Sequence, residues 1–145
     1  MDHLNDLYQE LIIDHGTSPR NFTVIINPST QEEGFNPLCG DKIIVFLEIK
    51  DNSIVNATFQ GQGCAISTAS ASIMTEVLIG KTTQQAIKLA ENFIASLTNA
   101  PLHNNNDNNL HLPYKLLALI SVKNYPSRVK CATLAWHTLT AALKK

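Results

Sequence analysis

Apolar residues recur along this chain with two different periods, and the change of period divides it into elements. Leu4, Leu7, Tyr8, Leu11 and Ile12 fall at helical spacing and predict an amphipathic first helix over residues 3–14. Gly16, Ser18-Pro19 and Asn21 stop it. Between 22 and 38, Pro28, Gly34 and Pro37 interrupt any long element and leave room only for a short edge strand near 29–34. Residues 42–50 and 53–60 are rich in Ile, Val and Phe and meet at Asp51-Asn52, the signature of a β-hairpin. Past Gly61 and Gly63, Cys64 opens a run of small and apolar residues up to Gly80, a helix with a glycine stop.

Thr82 or Thr83 caps the next helix, which carries Ala86, Ile87, Ala90, Phe93, Ile94 and Leu97 on one face. The run Asn104-Asn105-Asn106-Asp107-Asn108-Asn109 is a low-complexity polar loop. Pro113 starts a short helix to about Ile120. Pro126 and Ser127 start the last, which buries Val129, Ala132, Ala135, Trp136, Leu139 and Ala142. This order predicts an α+β fold: a small antiparallel three-stranded sheet packed by helices on one face.

The 145 residues, 44% of them hydrophobic, fit one domain over 1–145 that can bury a core without staples. No repeat and no long linker divides it. A net charge of −1 without a basic run argues against nucleic acid as a partner. No stretch approaches the ~20 apolar residues of a membrane span, and the polar, acidic start does not resemble a leader. The expectation is a soluble, cytoplasmic protein.

Three cysteines carry the candidate chemistry: Cys39 in Cys39-Gly40-Asp41, Cys64 in Gly61-Gln62-Gly63-Cys64, and Cys131 after Lys130. An odd, widely spaced set does not resemble a disulfide framework. Each lies at the boundary of an element. Cys39 and Asp41, two apart in extended chain, point the same way, and Gly40 keeps the approach open. The antiparallel hairpin returns Cys64 beside them. At a helix start the Cys64 thiolate is favoured by the dipole. Cys131, expected in the first turn of the last helix near Arg128 and Lys130, is favoured as thiolate by those cations. With Asp41, three thiolates make the four ligands of a tetrahedral zinc site; the same groups suit an iron–sulfur cluster or a persulfide carrier. Of the five histidines, His15 at a helix end reads as packing. His103 and His111 read as solvated, and Trp136 as core.

Several stretches resemble the NifU/IscU-type iron–sulfur cluster assembly superfamily. They are Leu7-Tyr8 to Asp14-His15, Ser18-Pro19-Arg20-Asn21, Asn36-Pro37-Leu38-Cys39-Gly40-Asp41, Gly61-Gln62-Gly63-Cys64-Ala65-Ile66-Ser67, Ala69-Ser70-Ala71-Ser72 and Arg128 to Trp136. The likeness is greatest to the SufU branch. IscU-type scaffolds carry histidine just before the third cysteine, where this chain has Lys130. They also carry a Leu-Pro-Pro-Val-Lys segment, where this chain has Tyr125-Pro126-Ser127-Arg128-Val129-Lys130. A protonated lysine is no ligand, which favours Cys39, Asp41, Cys64 and Cys131 as the metal set.

The resemblance implies a zinc-bound sulfur acceptor working with a pyridoxal-phosphate cysteine desulfurase of SufS-like type and passing sulfur to a downstream iron–sulfur scaffold. Cys39 is then the ligand released to take the sulfur, and Arg128 assists docking or balances charge. The alternatives are a [2Fe–2S] assembly scaffold on the same ligands, and a structural zinc-stabilised interaction module.

Overall fold

The computed structural model describes residues 2–98 and 112–145, with side chains from Leu7 onward. The asparagine-rich loop and its flanking His103 and His111 lie outside the described residues. Helix α1 (Asp2–Thr17) is followed by strands β1 (Thr30–Asn36), β2 (Asp41–Lys50) and β3 (Ser53–Gln62). Helices α2 (Ala65–Leu78), α3 (Thr83–Thr98) and α4 (Tyr114–Ile120) come next, then a 3-10 turn (Ser121–Asn124) and α5 (Pro126–Leu143).

The strands form one antiparallel sheet in the order β1-β2-β3, as the periodicity predicts. Asp51 and Asn52 both have positive φ (50° and 67°), the left-handed pair that matches a two-residue turn to the twist of its strands. On β2 the alternate residues Ile43, Val45 and Leu47 are buried, and across from them lie Phe59 and Ala57 of β3. Helix α5 packs on β1 and β2, and α2 packs on β3, so one sheet face supports the helices.

Pro126 occupies the first turn of α5, where its missing N–H costs nothing. At the start of α3 the Gln85 N–H donates to Thr82 Oγ1 (3.1 Å), and the Thr82 N–H donates to Gln85 Oε1 (3.0 Å). This reciprocal capping box resolves the choice between Thr82 and Thr83.

Small residues in α2 serve its packing on other helices as well as on the sheet. Ser70 donates to the Ala132 carbonyl at 2.5 Å and accepts the Trp136 indole N–H at 3.1 Å. Helix α2 is therefore wedged between β3, α1 and α5, and Ser70 satisfies the polar end of a fully buried Trp136. Val129, expected on the buried side of α5, is only half-buried, because it lies in the exposed first turn.

His15 is fully buried. Its Nδ1 lies 2.7 Å from Ser72 Oγ, and its Nε2 lies 3.3 Å from Lys115 Nζ and 3.6 Å from Glu76. One imidazole thus ties α1 to α2 and α4, and the packing role expected for it is the one its contacts describe. No helix among the described residues is long and apolar enough to cross a membrane.

Candidate metal centre

The centre forms where the β1–β2 connection, the end of β3 and the start of α5 meet. Asn36 pairs with Asp41, and Lys42 pairs with Gln62. The start of β2 is therefore flanked by the end of β1 and by the chain leading to Cys64. The four residues between Asn36 and Asp41 form a turn: the Cys39 and Gly40 N–H groups both donate to the Asn36 carbonyl, at 3.3 and 2.8 Å. Gly40 completes the turn with φ 71°, a conformation in which a side chain is strained.

Cys39 and Asp41 do come together, but not by the alternation of an extended strand. Cys39 sits in the turn, exposed, while Asp41 begins β2, fully buried. The tight turn, not strand pleating, aims both at one place.

The sulfurs of Cys39 and Cys131 and a carboxylate oxygen of Asp41 all lie within 4.8 Å of one another. The two sulfurs are 3.5 Å apart, too far for a disulfide of ~2.05 Å. Two thiolates held at ~2.3 Å in a tetrahedron stand ~3.8 Å apart, so this separation is close to what one ion needs.

Asp41 divides its oxygens: Oδ1 accepts the Cys64 N–H at 3.0 Å, whereas Oδ2 is buried with no partner. A buried carboxylate oxygen left without a donor is costly unless a cation meets it. Two sulfurs and a carboxylate oxygen in one cluster are the donor set of a soft or borderline metal, and the residues fit the group.

Cys64 is the N-cap residue of α2, in extended conformation and with no capping bond from its thiol. Its sulfur lies outside the 4.8 Å set, but its backbone holds Asp41. Gly63 makes that hold possible, because a Cβ there would lie 2.5 Å from Asp41 Oδ1.

Cys131 departs from expectation twice. It lies in the second turn of α5, not the first, and it is 1% exposed. Burial above all, and then the hydrogen bond to the Cys39 sulfur 3.5 Å away, push its thiol pKa up. The cations expected to lower it do not govern it, because Arg128 and Lys130 are both exposed. Burial disfavours charge on that sulfur, and a metal cation is the kind of group that offsets such a cost.

Arg128 is not part of the cluster. It lines an apolar groove of about 350 Å³ with Ile12 and Ile13 of α1, Ile66 of α2, Val122 and Tyr125. One turn separates it from Cys131, so the groove opens beside the thiols. The groove and the organising role of Asn36 were not legible in the sequence, except that Asn36 opens the motif ending in Cys39-Gly40-Asp41.

Comparison with known proteins brings a family to this geometry. Residues 7–145 match the NifU-like N terminal domain. An iron–sulfur cluster assembly scaffold protein IscU from Thermotoga maritima is 39% identical, over 96% of this chain and 94% of its own. The zinc-dependent sulfurtransferase SufU of Bacillus subtilis is 35% identical, over 99% of this chain and 93% of its own. The crystal structure of FiSufU from the thermophile Fervidobacterium islandicum AW-1 superposes with a TM-score of 0.82 at 35% identity, covering 96% of this chain and 98% of that one.

Proposed function

We propose that this chain, which belongs to the NifU-like N-terminal domain family and within it to the SufU branch, is a zinc-dependent sulfur acceptor for a cysteine desulfurase in iron–sulfur cluster assembly. Cys39, Asp41 through Oδ2, Cys64 and Cys131 would hold the metal. Zinc, when bound, supplies charge that keeps thiols deprotonated without redox chemistry of its own.

The observation that carries the reading is an asymmetry of exposure within the ligand set. Cys39 is exposed on a turn, Cys64 is half-buried, and Asp41 and Cys131 are buried. Cys39, the most exposed of the three thiols, is the ligand assigned to leave the cluster and meet a partner's sulfur. Its thiolate then attacks the outer sulfur of the desulfurase persulfide. A Cys39 S–S bond forms, the partner's S–S bond breaks, and the partner's cysteine leaves as thiolate, with no net oxidation. The sulfur passes on to a downstream iron–sulfur scaffold.

The apolar groove beside the thiols suits a docking contact of the SufS-like partner, with Arg128 at its wall. Lys130 is exposed and as a protonated amine is no ligand, which agrees with ligation by three cysteines and one aspartate. A second reading, a scaffold for a [2Fe–2S] cluster, is favoured by the 39% identity to the Thermotoga IscU and uses the same donors. The third, a structural zinc-stabilised module, uses them without sulfur chemistry.

Elemental analysis of the purified chain, followed by desulfurase turnover with labelled cysteine, separates the three. Tight zinc, a colourless protein and accelerated turnover support the acceptor, and Cys39→Ser is expected to abolish label on the chain. Iron with visible absorption selects the scaffold. Zinc without any effect on turnover selects the structural module, and transfer at the wild-type rate by Cys39→Ser removes Cys39 from its assigned role.

A further inference from the structure

Asn36 ends β1 directly opposite Asp41. Opposed residues of an antiparallel pair carry their side chains on the same face, with Cβ atoms ~4.5–5.5 Å apart. The Asn36 carboxamide therefore stands on the side of the hairpin that carries the Asp41 carboxylate. Its oxygen is already engaged, since Oδ1 accepts the Leu38 N–H at 3.2 Å. Together with the two bonds to its carbonyl, this makes Asn36 the organiser of the Cys39 turn.

The Leu38 bond also decides which end of the amide is which, leaving Nδ2 as the donor. Asn36 is 6% exposed, and its Nδ2 is buried with no partner, like Oδ2 of Asp41 across the pair. A donor and an acceptor stand on opposed positions, and neither satisfies the other. Buried unpaired groups of this kind are rare in native interiors and call for a missing third party.

We propose that Asn36 is a positioning residue of the metal centre. Its Nδ2–H donates to the Cys39 sulfur once that sulfur is a metal-bound thiolate, and so sets how readily Cys39 is released. The inference rests on the ligand set proposed above. A neutral thiol is a weak acceptor, whereas a thiolate accepts a charge-assisted bond. The amide thus gains its partner when Cys39 becomes a ligand, and Asp41 Oδ2 is left for the metal. One residue then holds the releasable ligand twice, through the backbone of its turn and through its sulfur.

The test begins with the wild-type chain loaded with zinc. Alkylation of the three cysteines, mapped by mass spectrometry, reports which are protected by the metal. Failure to protect Cys39 overturns the ligand set, and this inference with it. Where Cys39 is protected, Asn36→Ser decides the inference alone, because serine keeps an oxygen for the Leu38 N–H and removes the amide.

The expected result is about tenfold faster alkylation of Cys39 in the loaded variant, with Cys64 and Cys131 unchanged and all three metal-free rates as in wild type. Equal loaded rates overturn the proposal. So does the same acceleration in the metal-free protein, which would make Asn36 only a stiffener of the turn. In wild-type protein the nuclear magnetic resonance signal of the Asn36 side-chain amide is expected to move downfield on zinc loading. An unmoved signal overturns the proposal whether or not the variant folds.

Discussion

Gly63 shows how closely the centre depends on single atoms. Asp41 Oδ1 accepts the Cys64 N–H only because nothing projects from the backbone between them, and a Cβ at 63 would lie 2.5 Å from that oxygen and 3.2 Å from the Asp41 Cβ. Asp41 cannot retreat, because it is fully buried at the start of a paired strand. Gly63→Ala is therefore expected to displace the carboxylate and cost ~1–3 kcal/mol of stability through overpacking. It is also expected to weaken zinc binding by at least about tenfold, ~1.4 kcal/mol. Competition against a chromogenic chelator measures the affinity, and an unchanged affinity would remove Asp41 from the ligand set.

Among the elements, α1 is tied to its neighbours in part through one buried imidazole. His15 is held between Ser72 on α2 and Lys115 on α4, with Glu76 nearby. Burial lowers its pKa, Arg20 and Lys115 lower it further, and Glu76 and Asp14 oppose them. The folded chain thus holds His15 neutral, while the unfolded chain binds a proton at its ordinary pKa of 6.5. Stability from this group is fully present above pH 6.5 and is lost as pH falls from there towards the lowered folded value.

Asp14, whose carboxyl is held below its usual range chiefly by the Arg20 hydrogen bond, loses its contribution only at more acid pH. Urea unfolding of metal-free protein between pH 7.5 and 5.5 is expected to show a falling midpoint, and the fall is expected to vanish in His15→Gln. A variant that keeps the same slope would assign the effect to other groups.

At the scale of the whole molecule, the core and the metal centre are built from different residues. Val45, Leu47, Ile73, Phe93, Trp136 and Leu139 are buried in one cluster, whereas the candidate donors Cys39, Asp41 and Cys131 collect at one end of the sheet. Removing metal with a chelator is therefore expected to leave the far-ultraviolet circular dichroism intact and to lower the melting temperature. A metal that binds only the folded chain adds ~2.7 kcal/mol when free ligand is 100 times its Kd. Loss of helical signal on chelation would instead support the structural-module reading.

Secondary structure was legible from local pattern because each element's signals act within a few residues. The Asp51-Asn52 turn, the Thr82 cap and Pro126 at the head of α5 are each local physical chemistry. The proposed donors were legible as candidates for a similar reason: soft donors at element boundaries, joined through motifs whose order the family shares. Their geometry was not.

Cys131 belongs to the second turn of α5 and is buried, so its thiol pKa rises where neighbouring cations suggested a fall. Burial is a sum over contacts far apart in sequence, and local charge cannot report it. The orphaned oxygen of Asp41, the unpaired amide of Asn36 and the groove holding Arg128 likewise exist only when β1, β2, α1, α2 and α5 meet. The sequence by itself determined the elements, their order and which side chains bear chemistry. Tertiary structure alone decided which of them share one site, which is buried and which can leave, because those are properties of enclosed space.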